Sequence, residues 1–328
     1  MKNAMENQGL LKTLNECEYP AEFLVARLLG KKGTLFRNWE FLIDSSDAAA
    51  SLQNSVFYAY LKKYGAPGIW RFLHNEHLWV YKRMNNALRT QFAPYFVYHE
   101  FKTLLVCLRY LCSRKESERD LPNLHNSLLH EDIQAILTGG QEFNAILQLL
   151  ELYLCSKSDL FKGLQQQYEK NGITGLEVFL RDSFFAYLLS QRQPSMLKTF
   201  LRCLIDYHNC LTLAKTLRWQ IDRNPALISG GTIPAECMQR AYNRKDLTPV
   251  LKFLHLQAAN EDAPSLQKLE TSLLSLISRK LKRWSMQRTV TGEILFYLWE
   301  QYRYTRNISM VLNTMQVEDE RVRENIVA

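Results

Sequence analysis

The sequence predicts an all-α protein, and three observations support that class. Nearly every long segment carries apolar residues at i, i+3 and i+4, the spacing that places them on one face of a helix. Clear examples are the segments 20–30, 143–154 and 265–277. No segment keeps up the alternation of apolar and polar residues that a half-buried strand would show. Glycine and proline number only 13 and 9 in 328 residues, so the chain has few positions that interrupt helices.

Short segments rich in glycine, proline or polar residues divide the chain into many helices of moderate length. We predict interruptions at 64–68, 115–124, 139–140, 171–175, 191–195, 222–234 and 260–264.

The segment NPALISGGTIPAEC (224–237) raises a choice between a phosphate cradle and a plain turn. A phosphate loop needs a lysine shortly after its glycines, and none follows Gly230 and Gly231. We therefore predict a turn, with Thr232 as a helix N-cap and Pro234 in the first helical turn.

Three segments of the chain resemble one another: YHEFKTLLVCLR (98–109), YHNCLTLAKTLR (207–218) and TRNISMVLNTM (305–315). They align on Glu100, Asn209 and Asn307, each followed directly by an apolar residue and by another four positions beyond the polar one. A second element, LQNSVFYAYL (52–61), recurs at 180–189 and more distantly at 269–278. The matching order predicts three divergent helical repeats. We place them at 1–115, 116–224 and 225–328, with the buried amides of Asn209 and Asn307 bonding neighbouring helix ends.

Charge and cysteine content restrict the class of protein without naming its function. The chain has 41 Lys and Arg against 33 Asp and Glu, a net charge of +8 that suits an acidic partner or an anionic membrane surface but requires neither. The densest basic run, SRKLKRWSMQR (278–288), closes an amphipathic helix, where positive charge is favourable, so nucleic-acid binding is not predicted. Seven scattered cysteines lack C-x-x-C spacing and are interpreted as free thiols of a reducing compartment. We find no signal peptide and no membrane span, and predict a soluble or peripheral cytoplasmic protein.

Catalytic motifs are not evident. His74, Glu76 and His77 could be metal ligands, but their spacing is not that of zinc hydrolases and no fourth ligand is evident nearby. We therefore favour a structural helix with histidines beside Trp70 and Trp79, and keep a metal enzyme as an alternative. The expectation is a protein that is not an enzyme and has no metal, cofactor, nucleic acid or small-molecule substrate. Arg27 lies on an apolar stripe, where a carboxylate or helix-end carbonyls would satisfy it.

Three segments resemble a known family: YPAEFLVARLLGKKGTLF (19–36), DYHNCLTLAKTLRWQ with NPALISGGTIP (206–234), and the C-terminal segment 292–327. They are similar to the C-type subunit of the archaeal and bacterial V-type (A-type) rotary ATPases, the counterpart of the eukaryotic d-type subunit. The second segment has the family's Asp-x-x-Asn helix and Gly-Gly-Thr-Ile-Pro turn. In the third, the pair Arg306-Asn307 corresponds to the pair that leads the family's last long helix. The chain departs from the family at Glu100, where asparagine is usual, and at Val106 and Asn313, where a basic residue is usual.

The resemblance implies a funnel of three similar helical domains in a pseudo-threefold arrangement. Such a protein is a non-catalytic rotor part on the cytoplasmic face of the membrane proteolipid ring, and the central-stalk subunits fit into it to pass torque. The resemblance makes Arg27, Lys215, Arg218 and Arg306 candidate partner-binding residues. Structural markers are Glu100, Asn209, Asn307, Gly230, Gly231 and Pro234. The alternative is a helical-repeat scaffold that binds other proteins and is unrelated to rotary ATPases.

Overall fold

The protein is predominantly helical in the part of the chain that the structure, a computed structural model, describes. That part comprises residues 9–15, 17, 19–33, 39–45, 48–113, 121, 124–256, 265–314 and 326–327. Its α-helices are α1 (Ala21–Lys32), α2 (Trp39–Asp44), α3 (Ala48–Ser51), α4 (Tyr58–Tyr64), α5 (Gly68–Arg83), α6 (Asn86–Ser113), α7 (Glu131–Thr138), α8 (Phe143–Cys155), α9 (Leu164–Ser190), α10 (Ser195–Arg218), α11 (Ala235–Arg244), α12 (Thr248–Phe253), α13 (Leu266–Ser285) and α14 (Val290–Thr314). Within the described ranges the only β-type pairing is an isolated bridge between Leu11 and Leu129. The predicted all-α class is confirmed.

The chain divides into two compact units. Unit 1 comprises residues 1–19, 78–201 and 228–230, and unit 2 comprises 20–77, 202–227 and 231–328. The boundaries fall inside α5 and α10, so each of these helices contributes residues to both units. The division into three repeats and their funnel-like arrangement remain predictions.

Unit 1 is built around α6. Its residues 92–98 are all buried, as expected for a helix that is apolar on every side. The helix begins after Asn85, whose Oδ1 accepts a hydrogen bond from the backbone N–H of Leu88 at 3.0 Å. Aromatic contacts join α6 to α9, with the rings of Phe101 and Phe184 stacked at 4.6 Å between centroids. The core of this unit therefore rests on large aromatic side chains of two long helices.

In unit 2, α13 and α14 pack together and α1 packs on α14. The N-terminus of α13 is capped by Ser265, whose Oγ accepts from the backbone N–H of Lys268 at 3.1 Å. Five apolar residues line its inner face: Leu269, Leu273, Leu274, Ile277 and Leu281. On α1 the buried residues are Leu24 and Leu28, one turn apart, whereas Phe23 is exposed.

Most of the predicted interruptions are confirmed, and one takes a different form. Helices end and begin again at 64–68, 139–140 and 191–195, and residues 222–234 form an extended connection. At 171–175 the helix α9 continues, but Gly172 has φ +64° and ψ −160°, so the predicted break is a kink. The predicted break at 260–264, and most of that at 115–124, lie outside the described residues.

Candidate functional site

Three buried polar side chains of long helices hold the backbone of segments further along the chain. We call them anchors: Glu100 on α6, Asp206 on α10 and Asn307 on α14. The carboxylate of Glu100 accepts from the backbone N–H of Leu128 at 2.8 Å and from the hydroxyl of Ser127 at 2.5 Å. Both partners are buried, so these bonds satisfy groups that water does not reach. The segment held by Glu100 pairs in turn with residues 10–12.

The second anchor, Asp206, binds the Gly-Gly-Thr-Ile-Pro turn. One carboxylate oxygen, Oδ1, accepts from the backbone N–H groups of Thr232 at 2.8 Å and Ile233 at 3.1 Å. The other oxygen accepts from the hydroxyl of Thr232. Burial raises the pKa of Asp206, and the hydrogen bonds from Thr232 and Ile233 oppose that rise because they favour the charged form.

The two glycines of this turn have different roles. Gly230 has φ +94°, a backbone conformation that favours glycine. Gly231 instead makes room, because a Cβ built on it would lie 2.3 Å from Oδ1 of Asp206. The segment is therefore a turn, as predicted, and its N–H groups bind the chain's own carboxylate. The predicted cap is wrong: Pro234 occupies the N-cap position of α11, because the hydroxyl of Thr232 donates to the buried Asp206.

The third anchor, Asn307, is fully buried on α14 and binds both backbone groups of one residue. Its Nδ2 donates to the carbonyl oxygen of Val327 at 3.0 Å, and its Oδ1 accepts from the N–H of Val327 at 3.3 Å. Arg303 also donates to that carbonyl oxygen at 3.0 Å. The neighbouring pair Arg306-Asn307 lies inside α14 rather than at the start of a helix, which corrects the expectation from the family pattern.

The anchors recur in the order that the sequence repeats predict, with one change. Glu100 and Asn307 occupy the aligned marker position, but in the second repeat the bond to the turn comes from Asp206, three residues before Asn209. Asn209 itself is buried, as predicted. The residues that an anchor binds lie 27 and 28 positions after Glu100 and 26 and 27 positions after Asp206. For Asn307 the bound residue lies 20 positions later. A similar reach in each case supports a common repeat.

We expect replacement of Asn307 by leucine to lower the free energy of unfolding by about 3 kcal/mol, because Val327 loses two buried hydrogen bonds. Urea denaturation of the full chain measures the change. Asn313→Leu is the matched control, since Asn313 is an exposed asparagine of the same helix and should change stability by less than about 0.5 kcal/mol. Equal stability of the Asn307 variant and the wild type, with assembly lost, would place Asn307 in an interface instead.

A partly buried ion pair joins α1 to α5 in unit 2. The ammonium of Lys31 lies 2.6 and 2.7 Å from the two carboxylate oxygens of Glu76, and the hydroxyl of Tyr297 donates to Oε1 at 2.6 Å. Burial, and next the charge of Glu76, raise the pKa of Tyr297.

Nδ1 of His74, one of the possible metal ligands, lies 2.8 Å from the carbonyl oxygen of Trp70 on its own helix. Across the described ranges, no group of three or more His, Cys, Asp or Glu side chains could hold a metal ion.

Arg89 is a buried residue that the sequence pattern alone did not single out. Its side chain is 1% exposed, and within the described chain it donates to four carbonyl oxygens. Two of them, from Tyr81 and Lys82, are at the C-terminal end of α5, and two, from Leu14 and Asn15, are in the N-terminal segment. A guanidinium suits this position because its five N–H groups fan out in a plane. The signal in the sequence was its place between Leu88 and Phe92 on the buried face of α6.

The four predicted partner-binding residues have different surroundings. Lys215 and Arg218 are exposed in the last turn of α10, three positions apart and therefore on one face. Arg27 is exposed on α1 rather than on its buried stripe, which corrects the sequence interpretation. Arg306 is mostly buried, with 13% of its side chain exposed, and lies 3.6 Å from the carboxylate of Glu270.

Exposed apolar residues follow directly after Lys215 and Arg218. Trp219 is 60% exposed and Ile221 is also exposed. We call these four residues the α10 surface. Large exposed aromatic side chains beside cations are typical of surfaces that bind another molecule. The α10 surface is therefore our candidate for the predicted partner contacts, which remain a prediction.

One of two comparisons with known proteins gives a match. A scan against protein-family models matches residues 68–324 to the family described as ATP synthase (C/AC39) subunit. A search of curated protein sequences found no match. The matched range contains all three anchors and the α10 surface, while Arg27 and Lys31 precede it and Val327 follows it. None of the described helices is long and apolar enough to cross a membrane.

Proposed function

The chain belongs to the ATP synthase (C/AC39) subunit family, and we propose that it is the rotor subunit that joins the central stalk of a V-type ATPase to the membrane proteolipid ring. In this role it performs no chemistry and passes torque between stalk and ring for ion transport. It is a peripheral protein on the cytoplasmic face of the membrane, and its partners are the ring and the central-stalk subunits. The observation that carries the proposal is the family match, which spans most of the chain.

The packing of unit 2 supports a part that transmits force. A coupling protein must keep its shape under load, so its helices need connections that have few alternative geometries. The Lys31–Glu76 ion pair joins α1 to α5, and Tyr297 brings α14 to the same carboxylate. Asn307 ties the end of the described chain to the middle of α14. Buried hydrogen-bonded networks of this kind make the arrangement of a core specific.

The α10 surface supports contact with a partner. Lys215 and Arg218 provide charge that orients an approaching acidic surface, and Trp219 and Ile221 provide apolar area for it to cover. Arg27 on α1 is a second exposed cation with an apolar neighbour, since the exposed Phe23 lies one helical turn before it. Arg306 differs from these exposed cations, because it forms an ion pair with Glu270 inside unit 2.

Purification from membranes in mild detergent, through a tag on this chain, tests the proposal. We expect the proteolipid ring and central-stalk subunits to co-purify, and their consistent absence would contradict the assignment. The double variant Lys215→Glu with Arg218→Glu should reduce the recovered partners by roughly tenfold while the melting temperature stays unchanged. The matched control is Lys162→Glu with Lys170→Glu, which reverses two exposed charges of unit 1. Equal recovery with both double variants would remove the α10 surface from the interface.

A further inference from the structure

A groove lies between the short helices α11 and α12, apart from the α10 surface. Its volume is about 420 Å³, within the range of ligand pockets. Cys237 and Pro249 form an apolar floor, and Phe253 lies at the edge with 44% of its surface exposed. Pro234, Arg240, Arg244 and Lys252 complete the lining. The groove thus combines an apolar floor with cationic walls.

The charge of the groove is unbalanced. Arg240, Arg244 and Lys252 are all exposed, and no acidic residue lines the groove in the described chain. The nearest acidic residues along the chain are Glu236, next to Cys237 on α11, and Asp246, in the turn between the two helices. The Asp246 carboxylate accepts from the backbone N–H of Thr248 at 2.9 Å and from the hydroxyl of Thr248 at 2.7 Å. These bonds, with smaller effects of Arg244 and Lys252, lower the pKa of Asp246. The lining therefore keeps an excess of positive charge.

Hydrogen bonds within the chain hold the two helices of the groove together. The thiol of Cys237 donates to the carbonyl oxygen of Pro249 at 3.4 Å, which joins α11 to α12. The carboxylate of Asp246 accepts from the backbone N–H of Thr248, the first residue of α12. On α11, Nε of Arg240 donates to the carbonyl oxygen of Glu236 one turn earlier. A preformed groove loses little conformational entropy when a partner binds.

We infer that the groove between α11 and α12 binds an acidic peptide segment of another subunit of the ATPase, with carboxylates facing Arg240, Arg244 and Lys252 and an apolar side chain on the floor. The inference rests on the proposed function, since the partner is a subunit of the same complex. Arg240 and Arg244 are one helical turn apart, a spacing that matches two carboxylates one turn apart on a partner helix.

Two other kinds of occupant fit less well. A small anion gains little here, because all three cations are exposed and their charges are screened by water and salt. A peptide segment gains from several such pairs at once and also covers the apolar floor. A lipid bilayer presents a broad surface that reaches exposed side chains but not the buried Cys237 at the floor.

Carbodiimide cross-linking of the purified ATPase complex tests the inference, because this reagent joins a lysine amine to a nearby carboxylate as an amide. We expect Lys252 to be linked to an Asp or Glu side chain of another subunit, identified by mass spectrometry. Arg244→Glu should lower the yield of that product roughly tenfold. Lys245→Glu is the matched control, since Lys245 is the next residue, is exposed, and lies outside the groove lining.

The possible results distinguish failure of the groove proposal from failure of the proposed function. A complex that assembles but gives no product at Lys252, or gives only a phosphatidylserine adduct there, overturns the groove and leaves the assignment of the subunit intact. Equal yields from the Arg244 and Lys245 variants also overturn it. Failure of the complex to assemble with the wild-type chain contradicts the proposed function itself.

Discussion

Replacement of Arg89 by leucine is expected to lower the free energy of unfolding by about 4 kcal/mol, one of the largest effects of any single substitution in this protein. The guanidinium donates to four carbonyl oxygens and is almost wholly buried. Leucine leaves those oxygens without the donor, and the bond to the carbonyl oxygen of Tyr81 is fully buried, so water does not replace it there. The end of α5 and the N-terminal segment would both lose their connection to α6. Urea denaturation followed by circular dichroism measures the effect.

Arg109 provides the control on the same helix. Its side chain is 60% exposed and paired with Glu177, so Arg109→Leu should cost less than about 1 kcal/mol. Arg89→Lys keeps the charge but not the planar arrangement of N–H donors. Its loss of unfolding free energy should lie between those of Arg89→Leu and Arg109→Leu. If Arg89→Leu is as mild as Arg109→Leu, the four carbonyl bonds do not stabilise the fold as argued.

Replacement of Gly231 by alanine is expected to cost about 3 kcal/mol, because the new Cβ would displace the carboxylate of Asp206 from the turn. The added methyl group meets Oδ1 at 2.3 Å and Cγ2 of Ile205 at 3.2 Å. The hydrogen bonds from Thr232 and Ile233 to Asp206 would then lengthen or break. Gly30→Ala is the control: it adds the same group with no neighbour within 4 Å, and should stabilise α1 by about 0.5 kcal/mol.

A double-mutant cycle separates the clash from other effects of the same substitution. In the background of Asp206→Ala the carboxylate is gone, so Gly231→Ala should then cost less than about 1 kcal/mol. An equal cost in both backgrounds would show that the backbone of Gly231, rather than the space beside Asp206, requires glycine.

The sequence was sufficient to predict the fold class and several helix ends. Apolar residues at helical spacing are a local property, and glycine or proline marks the ends at 64–68 and 191–195. The repeated polar markers also predicted that Asn209 and Asn307 are buried. The choice of partners could not be predicted in the same way. Asp206 binds the turn because tertiary packing brings that turn beside it, and nothing in the local pattern distinguishes it from Asn209.

Side-chain exposure on a helix was a second source of error. Arg27 was interpreted as lying on the apolar stripe of α1, but it is exposed, and Leu24 and Leu28 form the buried face. Periodicity alone allows both interpretations, because neighbouring stripes of a short helix are both partly apolar. Similarly, the family pattern suggested that Arg306 contacts a partner. In the structure its guanidinium instead lies beside Glu270 of the same chain, 36 positions earlier.

Arg89 and the other buried polar groups have a practical consequence for the boundaries of a shortened protein. The matched family range, 68–324, omits Leu14 and Asn15, whose carbonyl oxygens accept hydrogen bonds from Arg89. It also omits Val327, to which Asn307 is hydrogen-bonded. It also omits Lys31, so Glu76 would keep a buried negative charge without its cation. An expression fragment cut at the limits of the family match would therefore expose three internal polar groups at once. We therefore expect a stably folded fragment of this protein to extend beyond the matched family range at both ends.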